Sequence, residues 1–140
     1  MDYPFIIEIA IHISELEESI LPLQSNSLPV PLVTPFDIPP DDYTHQSIKD
    51  AFGFTPKSGF SLRLDKFDKD DAAIKGMIKT IVSMISKRQI KNAALLFQGE
   101  IPVLWLESGA LFVNDARGYW NPDRLASLGM PYAFKSMRPL

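Results

Sequence analysis

KNAALLFQGEIPVLWLESGALFVNDARGYW, residues 91–120, contains three apolar runs separated by short glycine-bearing breaks. The runs are 93–97, 103–106 and 110–113. Gln98-Gly99-Glu100 and Glu107-Ser108-Gly109 divide them, and Asn114-Asp115 closes the third. Runs of four or five residues rich in Val, Leu and aromatics, punctuated by Gly with polar neighbours, predict an antiparallel meander. Each break suits a hairpin, and glycine supplies the positive φ that such turns need. The runs are apolar without alternation, which places them in the middle of a sheet.

Working outward, residues 5–13 alternate. Phe5, Ile7, Ile9, Ile11 and Ile13 share one face, and Glu8 and His12 lie on the other, as in a half-buried strand. Ser14 with Glu17 three residues on has the pattern of a capping box and predicts a short helix over 15–21, stopped by Pro22. Residues 22–44 carry six prolines and read as a proline-rich, irregular wrapping segment, in which Leu28, Val30, Leu32 and Val33 could support one extended edge segment. One or two helical turns follow over 45–52, with His45 near their start as a cap and Gly53 as the stop. Residues 59–67 alternate as a second strand. Asp68 is expected to cap a long helix over 69–87 with Asp71 at its third position. Ile74, Met77, Ile78, Ile81, Val82 and Ile85 form its apolar stripe, with Lys75, Lys79 and Lys87 off it. After the meander, Asn121 caps a helix whose first residue is Pro122, with Trp120 and Leu125 placed as a hydrophobic staple. That helix ends at Gly129, and residues 131–137 return as a last strand. The order β-α-β-α-β-β-β-α-β predicts an α+β fold: a single two-layer domain over 1–140, with a mainly antiparallel sheet and helix 69–87 packed on one face.

With 140 residues and 46% hydrophobic composition the chain can bury a core without disulfides or metal. It has no cysteine, so a cystine-stapled fold and a thiolate metal site are excluded. Asp2 and Glu8 flank the first apolar run where a signal peptide would be basic, and no apolar stretch reaches membrane-spanning length. A cytoplasmic protein without membrane contact is the expectation. The net charge of −3 is unevenly divided: residues 1–50 sum to −8 and residues 51–140 to +5. An acidic face that steers a basic partner is one reading of this asymmetry. No dense Lys/Arg stripe supports nucleic-acid binding.

Catalytic patterns are missing. No G-x-S-x-G, H-E-x-x-H or S-x-x-K motif occurs. His12 and His45 are the only imidazoles, and without cysteine a zinc site would have to be completed by carboxylates; His12 reads as a surface or packed histidine and His45 as a cap. Asp65, Asp68, Asp70 and Asp71 lack the central Gly and final Glu of an EF-hand loop and read as a helix cap. No cofactor, metal or catalytic residue is assigned, and the expectation is a non-enzymatic protein. Gly118-Tyr119-Trp120 beside Arg117 is the most suggestive surface candidate, because Trp, Tyr and Arg dominate interface hot spots. Trp120 has the competing role of stapling the last helix, which leaves Arg117 and Tyr119 as candidates.

Several segments resemble the small immunity proteins of the myxobacterial swarming-inhibition (Sit) toxin systems. These are the Tyr-led strand and short helix over 3–21, FSLRLDKF at 60–67 before an amphipathic helix, ALLFQGE at 94–100, LFVN at 111–114 leading to YWNPDRL at 119–125, and Pro131-Tyr132. The resemblance implies binding without turnover, with a cognate protein toxin as partner. Combined with the charge asymmetry, it puts Glu15, Glu17, Glu18, Asp41 and Asp42 on the surface that meets a basic toxin. Two other classes stay open. One is an acidic secretion chaperone or adaptor, often a homodimer, that holds an effector segment. The other is a small-ligand-binding domain with a deep pocket.

Overall fold

In chain order the elements are β1 (Asp2–Ile7), β2 (Leu32–Phe36), α1 (Tyr43–Phe52), β3 (Ser58–Arg63), α2 (Ala72–Arg88), β4 (Ala93–Phe97), β5 (Ile101–Glu107), β6 (Ala110–Asn114), a 3-10 turn (Ala116–Gly118), α3 (Pro122–Ala126) and β7 (Ala133–Lys135). This is a computed structural model, and it describes residues 1–12, 14, 15, 18, 31–36, 38, 42–64 and 71–140.

The meander forms as its glycines require. Gln98 (φ 53°) and Gly99 (φ 77°) both take positive φ, and the Glu100 N–H donates to the Phe97 carbonyl at 3.2 Å. Ser108 (φ 50°) and Gly109 (φ 89°) repeat this between β5 and β6. Two positive φ values in succession give the turn whose twist matches that of paired strands. Pro102 lies within β5, an inner strand, where a missing N–H would normally break the ladder. It sits beside the register shift between Leu95 and Leu96, the kind of irregularity where proline is tolerated.

The sheet has seven strands in the order β2-β3-β1-β4-β5-β6-β7. All pairs are antiparallel except β6–β7, which is parallel and joined through α3. A parallel pair needs such a crossover, whereas hairpins suffice elsewhere in the meander. Alternation along β1 separates two cores. Tyr3, Phe5 and Ile7 face α2 and pack with Phe60, Leu62, Met77 and Ile81. Ile6 faces the other way and packs with Ile48 and Phe52 of α1, and with Trp105. The α+β class, the mainly antiparallel sheet and the long helix on one face are as read from the sequence. The expected two layers gain a partial third, because α1 covers part of the opposite face. Its apolar residues Ile48 and Phe52 lie four apart, so one helix face carries both.

Other boundaries shift for identifiable reasons. β1 stops at Ile7 instead of Ile13. Its last ladder contacts are Lys57 N–H to the Ile7 carbonyl (2.8 Å) and Glu8 N–H to the Asn92 carbonyl (3.1 Å); the Ile11 N–H then bonds the Ser58 hydroxyl (2.9 Å). α2 begins at Ala72 instead of residue 69. Asp71 is its N-cap residue, in a left-handed conformation (φ 56°), and its carboxylate makes no capping bond. Asp42, not His45, caps α1: its Oδ1 accepts from the Thr44 N–H at 2.8 Å. Ser14, Glu15 and Glu18 are helical, while the rest of the expected 15–21 helix, the Asp68 cap and most of 22–44 lie outside the described residues. Within 22–44, residues 32–36 form the edge strand β2, with Pro35 in it. Gly59 of β3 lets β2 close in, since a Cβ there would come within 2.5 Å of the Phe36 ring.

Candidate functional site

The start of α3 creates a polar cluster beside the α2-side core. Asn121 caps the helix, its Oδ1 accepting from the Arg124 N–H at 2.9 Å, and Pro122 presets the first turn. Arg124 thereby faces the start of α2. Its Nε and Nη2 donate to the Asp71 carboxylate at 2.9 and 3.2 Å, a two-pronged ion pair. Its Nη1 donates to the Tyr119 carbonyl, and the guanidinium lies 4.6 Å from the centre of the Tyr119 ring. The Tyr119 hydroxyl donates to the Tyr3 hydroxyl at 3.2 Å, which connects the segment before α3 to β1. Beside them, the Trp120 indole N–H donates to the Val103 carbonyl at 2.9 Å, and Trp120 and Leu125 both pack on the α2-side core, as the staple pattern implied.

The electrostatics of the cluster are those of a tether. Hydrogen bonds from Arg124 hold the Asp71 carboxyl below its ordinary range, so it stays ionised. Burial pushes the Tyr119 phenol well above its ordinary range, and burial raises Tyr3 too, so both stay neutral. A small apolar cavity of about 200 Å³ adjoins Tyr119, lined by Phe97, Ile101, Pro102, Val103 and Ala116. Asp71, whose two oxygens are engaged by Arg124, does not line it. The arrangement joins α2, α3 and β1.

A second concavity, about 400 Å³, lies on the other side of the sheet between α1 and the C-terminal residues. Tyr43, Ser47, Asp50, Met137, Arg138 and Leu140 line it. Asn114, 2% exposed, fixes one wall. Its Nδ2 donates to the Pro102 carbonyl (2.8 Å) and the Met137 carbonyl (3.0 Å), while its Oδ1 accepts from the N–H groups of Met137 and Ala116 (both 3.1 Å). The Leu140 N–H adds a bond to the Glu100 carbonyl at 2.8 Å.

The acidic residues singled out in the sequence do not form one described patch. Glu15 and Glu18 sit at the C-terminal end of α2: Arg88 donates to the Glu15 carbonyl (2.7 Å) and pairs with the Glu18 carboxylate (3.3 Å), and Lys87 donates to the Glu18 carbonyl (3.2 Å). Asp42 caps α1, which packs on the opposite face of the sheet. Glu17 and Asp41 lie outside the described residues. Arg117 is the middle residue of the 3-10 turn, and Tyr119 belongs to the buried cluster. Sequence reading missed Arg124 and Asn114. The cap motif placed Arg124 in the first turn of a helix, but its partner Asp71 is 53 positions away. Asn114 read as a turn residue.

At the far edge of the sheet, Tyr132 and Phe134 stand 40% and 53% exposed, their rings 5.7 Å apart and edge-on. Lys135 pairs with Glu107 at 3.2 Å and lies 5.1 Å from the centre of the Phe112 ring. Among the described residues no group of three or more His, Asp or Glu side chains could hold a metal ion, and no helix is long and apolar enough to cross a membrane.

A family model described as SitI3-like matches residues 36–124. The chain belongs to the SitI3-like family. The SitI3-like span runs from the end of β2 into α3, so it takes in α1, β3, α2, the meander and the Asp71–Arg124 pair. β1 and β7 lie outside it. Comparison with curated proteins and with solved structures gives no match.

Proposed function

We propose that this protein is a bacterial immunity protein that neutralises a cognate toxin by binding it, acting in the cytoplasm and without turnover. The observation that carries the reading is the SitI3-like match across the structural centre of the chain. The described geometry supports it. Among the described residues the polar cluster Asp71–Arg124–Tyr119–Tyr3 is engaged in joining elements, and the large side chains left exposed include the aromatics Tyr43, Tyr132 and Phe134 beside Met1, Ile9 and Leu32. Exposed aromatics are the side chains that anchor protein interfaces.

The test is protection. The protein, produced together with a toxin encoded beside its gene, should restore growth, and the two purified proteins should form a complex by calorimetry. Growth arrest unrelieved by the protein, with no heat of binding, would refute the proposal. Charge reversal of Glu15, Glu17, Glu18, Asp41 and Asp42 tests the acidic-face version. Slower association with a flatter salt dependence supports it.

A further inference from the structure

Among the described strands, β7 alone has every residue exposed. It is also one of the two outer strands of the sheet, with β2 at the other edge. The Asp115 N–H reaches the Lys135 carbonyl, and Lys135 is registered with Asn114. In a parallel ladder that turns the backbone polar groups of Lys135 and Ala133 towards β6 and leaves the N–H and C=O of Phe134 pointing outward. The two faces of this edge differ chemically. Phe134 is registered with Val113, a residue of the α2-side core, so the Phe134–Tyr132 ring pair extends that face. Lys135 lies over Phe112 on the other face, where Arg138 lines the groove beside α1. Of the bases from residue 124 onward, Arg124 is taken up by Asp71 and Lys135 is paired with Glu107, while Arg138 is exposed and makes no ion pair among the described residues.

We infer that the β7 edge is a docking site for an extended segment of the partner in which apolar and acidic residues alternate. Such a segment would add as an eighth strand. Its backbone would bond Phe134, its apolar residues would lie beside Phe134 and Tyr132, and its carboxylates would meet Arg138 and share Lys135 with Glu107. A second copy of the chain fits less well. Two half-exposed rings offer on the order of 200 Å² of apolar surface per chain, against roughly 800 Å² per partner in a standard interface. This inference rests on the immunity reading for the identity of the partner, and its test separates the two.

The probe is a short synthetic peptide of alternating valine and glutamate, titrated into the labelled full chain and followed by NMR. Shifts should cluster on residues 132–138, and exchange of the Phe134 amide proton should slow. Phe134→Pro removes the outward N–H together with the exposed ring and spares the Ala133 and Lys135 backbone groups that bond β6; it should weaken peptide binding by about tenfold or more. Arg138→Glu should weaken it as well, and the same peptide with lysine in place of glutamate should not bind. Shifts confined to the α1 groove, equal binding of the lysine peptide, or unchanged binding by Phe134→Pro would each overturn the inference. So would a wild-type dimer in sedimentation that Phe134→Pro converts to monomer, since a second copy would then be the occupant. With the toxin, wild-type protection that Phe134→Pro loses at an unchanged unfolding midpoint supports the edge. Wild-type protection that Phe134→Pro retains refutes it. Failure of the wild type to protect refutes the immunity reading alone, and the peptide result still decides the edge.

Discussion

β5 and β7 belong to one sheet, two strands apart, and could hardly differ more in what surrounds them. Residues 102–106 of β5 are all buried, and Trp105 is fully enclosed, its ring 5.9 Å from Phe52 and 6.1 Å from Phe112. β7 is three residues long and wholly exposed. The contrast shows that the stability of this sheet is concentrated at its centre, where both faces are covered. An edge strand that contributes little to the core can change its side chains with little effect on folding.

Substitutions should rank along that gradient. The largest loss is expected at the centre. Trp105→Ala removes a large ring from a closed site and should destabilise by about 3–5 kcal/mol in urea unfolding; a loss near that of a surface residue would break the contrast. Next is the polar tether. Arg124→Ala deletes the ion pair to Asp71 and the bond to the Tyr119 carbonyl, and about 2–3 kcal/mol is expected from the same measurement.

The tether should also show in pH dependence, with opposite signs at the two ends of the scale. The Asp71 carboxyl is depressed from 3.8 by Arg124, so its contribution is complete above that value and is lost as pH falls through the folded pKa. Asp71→Asn should flatten the acid limb. Tyr119 is raised from 10.0 by burial, so the unfolded chain loses its phenolic proton first and stability declines as pH rises beyond 10.0. Tyr119→Phe should lessen the alkaline decline. The smallest effect belongs to the edge. Phe134→Ala should change stability by no more than about 0.5 kcal/mol in thermal unfolding. A loss above about 2 kcal/mol would mean that β7 is part of the core after all.

The centre was legible because its signal is local. Unbroken apolar runs and glycine turns are written within 30 consecutive residues, and β4 matches its expected bounds. The Asn121-Pro122 start of α3 was equally local. What escaped was set by distant residues. Nothing near Ile7 announces that pairing with β3 and β4 ends there. Nothing near Asp71 announces an arginine 53 positions later that draws its carboxylate away from the helix it begins. Of the candidate surface, the acids were visible as composition, but the separation of Glu15 and Glu18 from Asp42 depends on topology. The docking edge was visible only as a loosely alternating terminal strand. Its exposure follows from which strand it joins and in which direction.

Asn114 acts towards residue 137 as a stretch of main chain would, offering one donor and one acceptor to the same peptide unit. A side chain in that role tolerates no change in the order of its two terminal atoms. Conversion of its amide to a carboxylate, the slow chemical fate of asparagine, would set a negative oxygen against the carbonyls of Pro102 and Met137. Residues 137–140 would then keep only the Leu140 N–H bond to the Glu100 carbonyl and the packing of Met137 and Leu140 on the α1-side core.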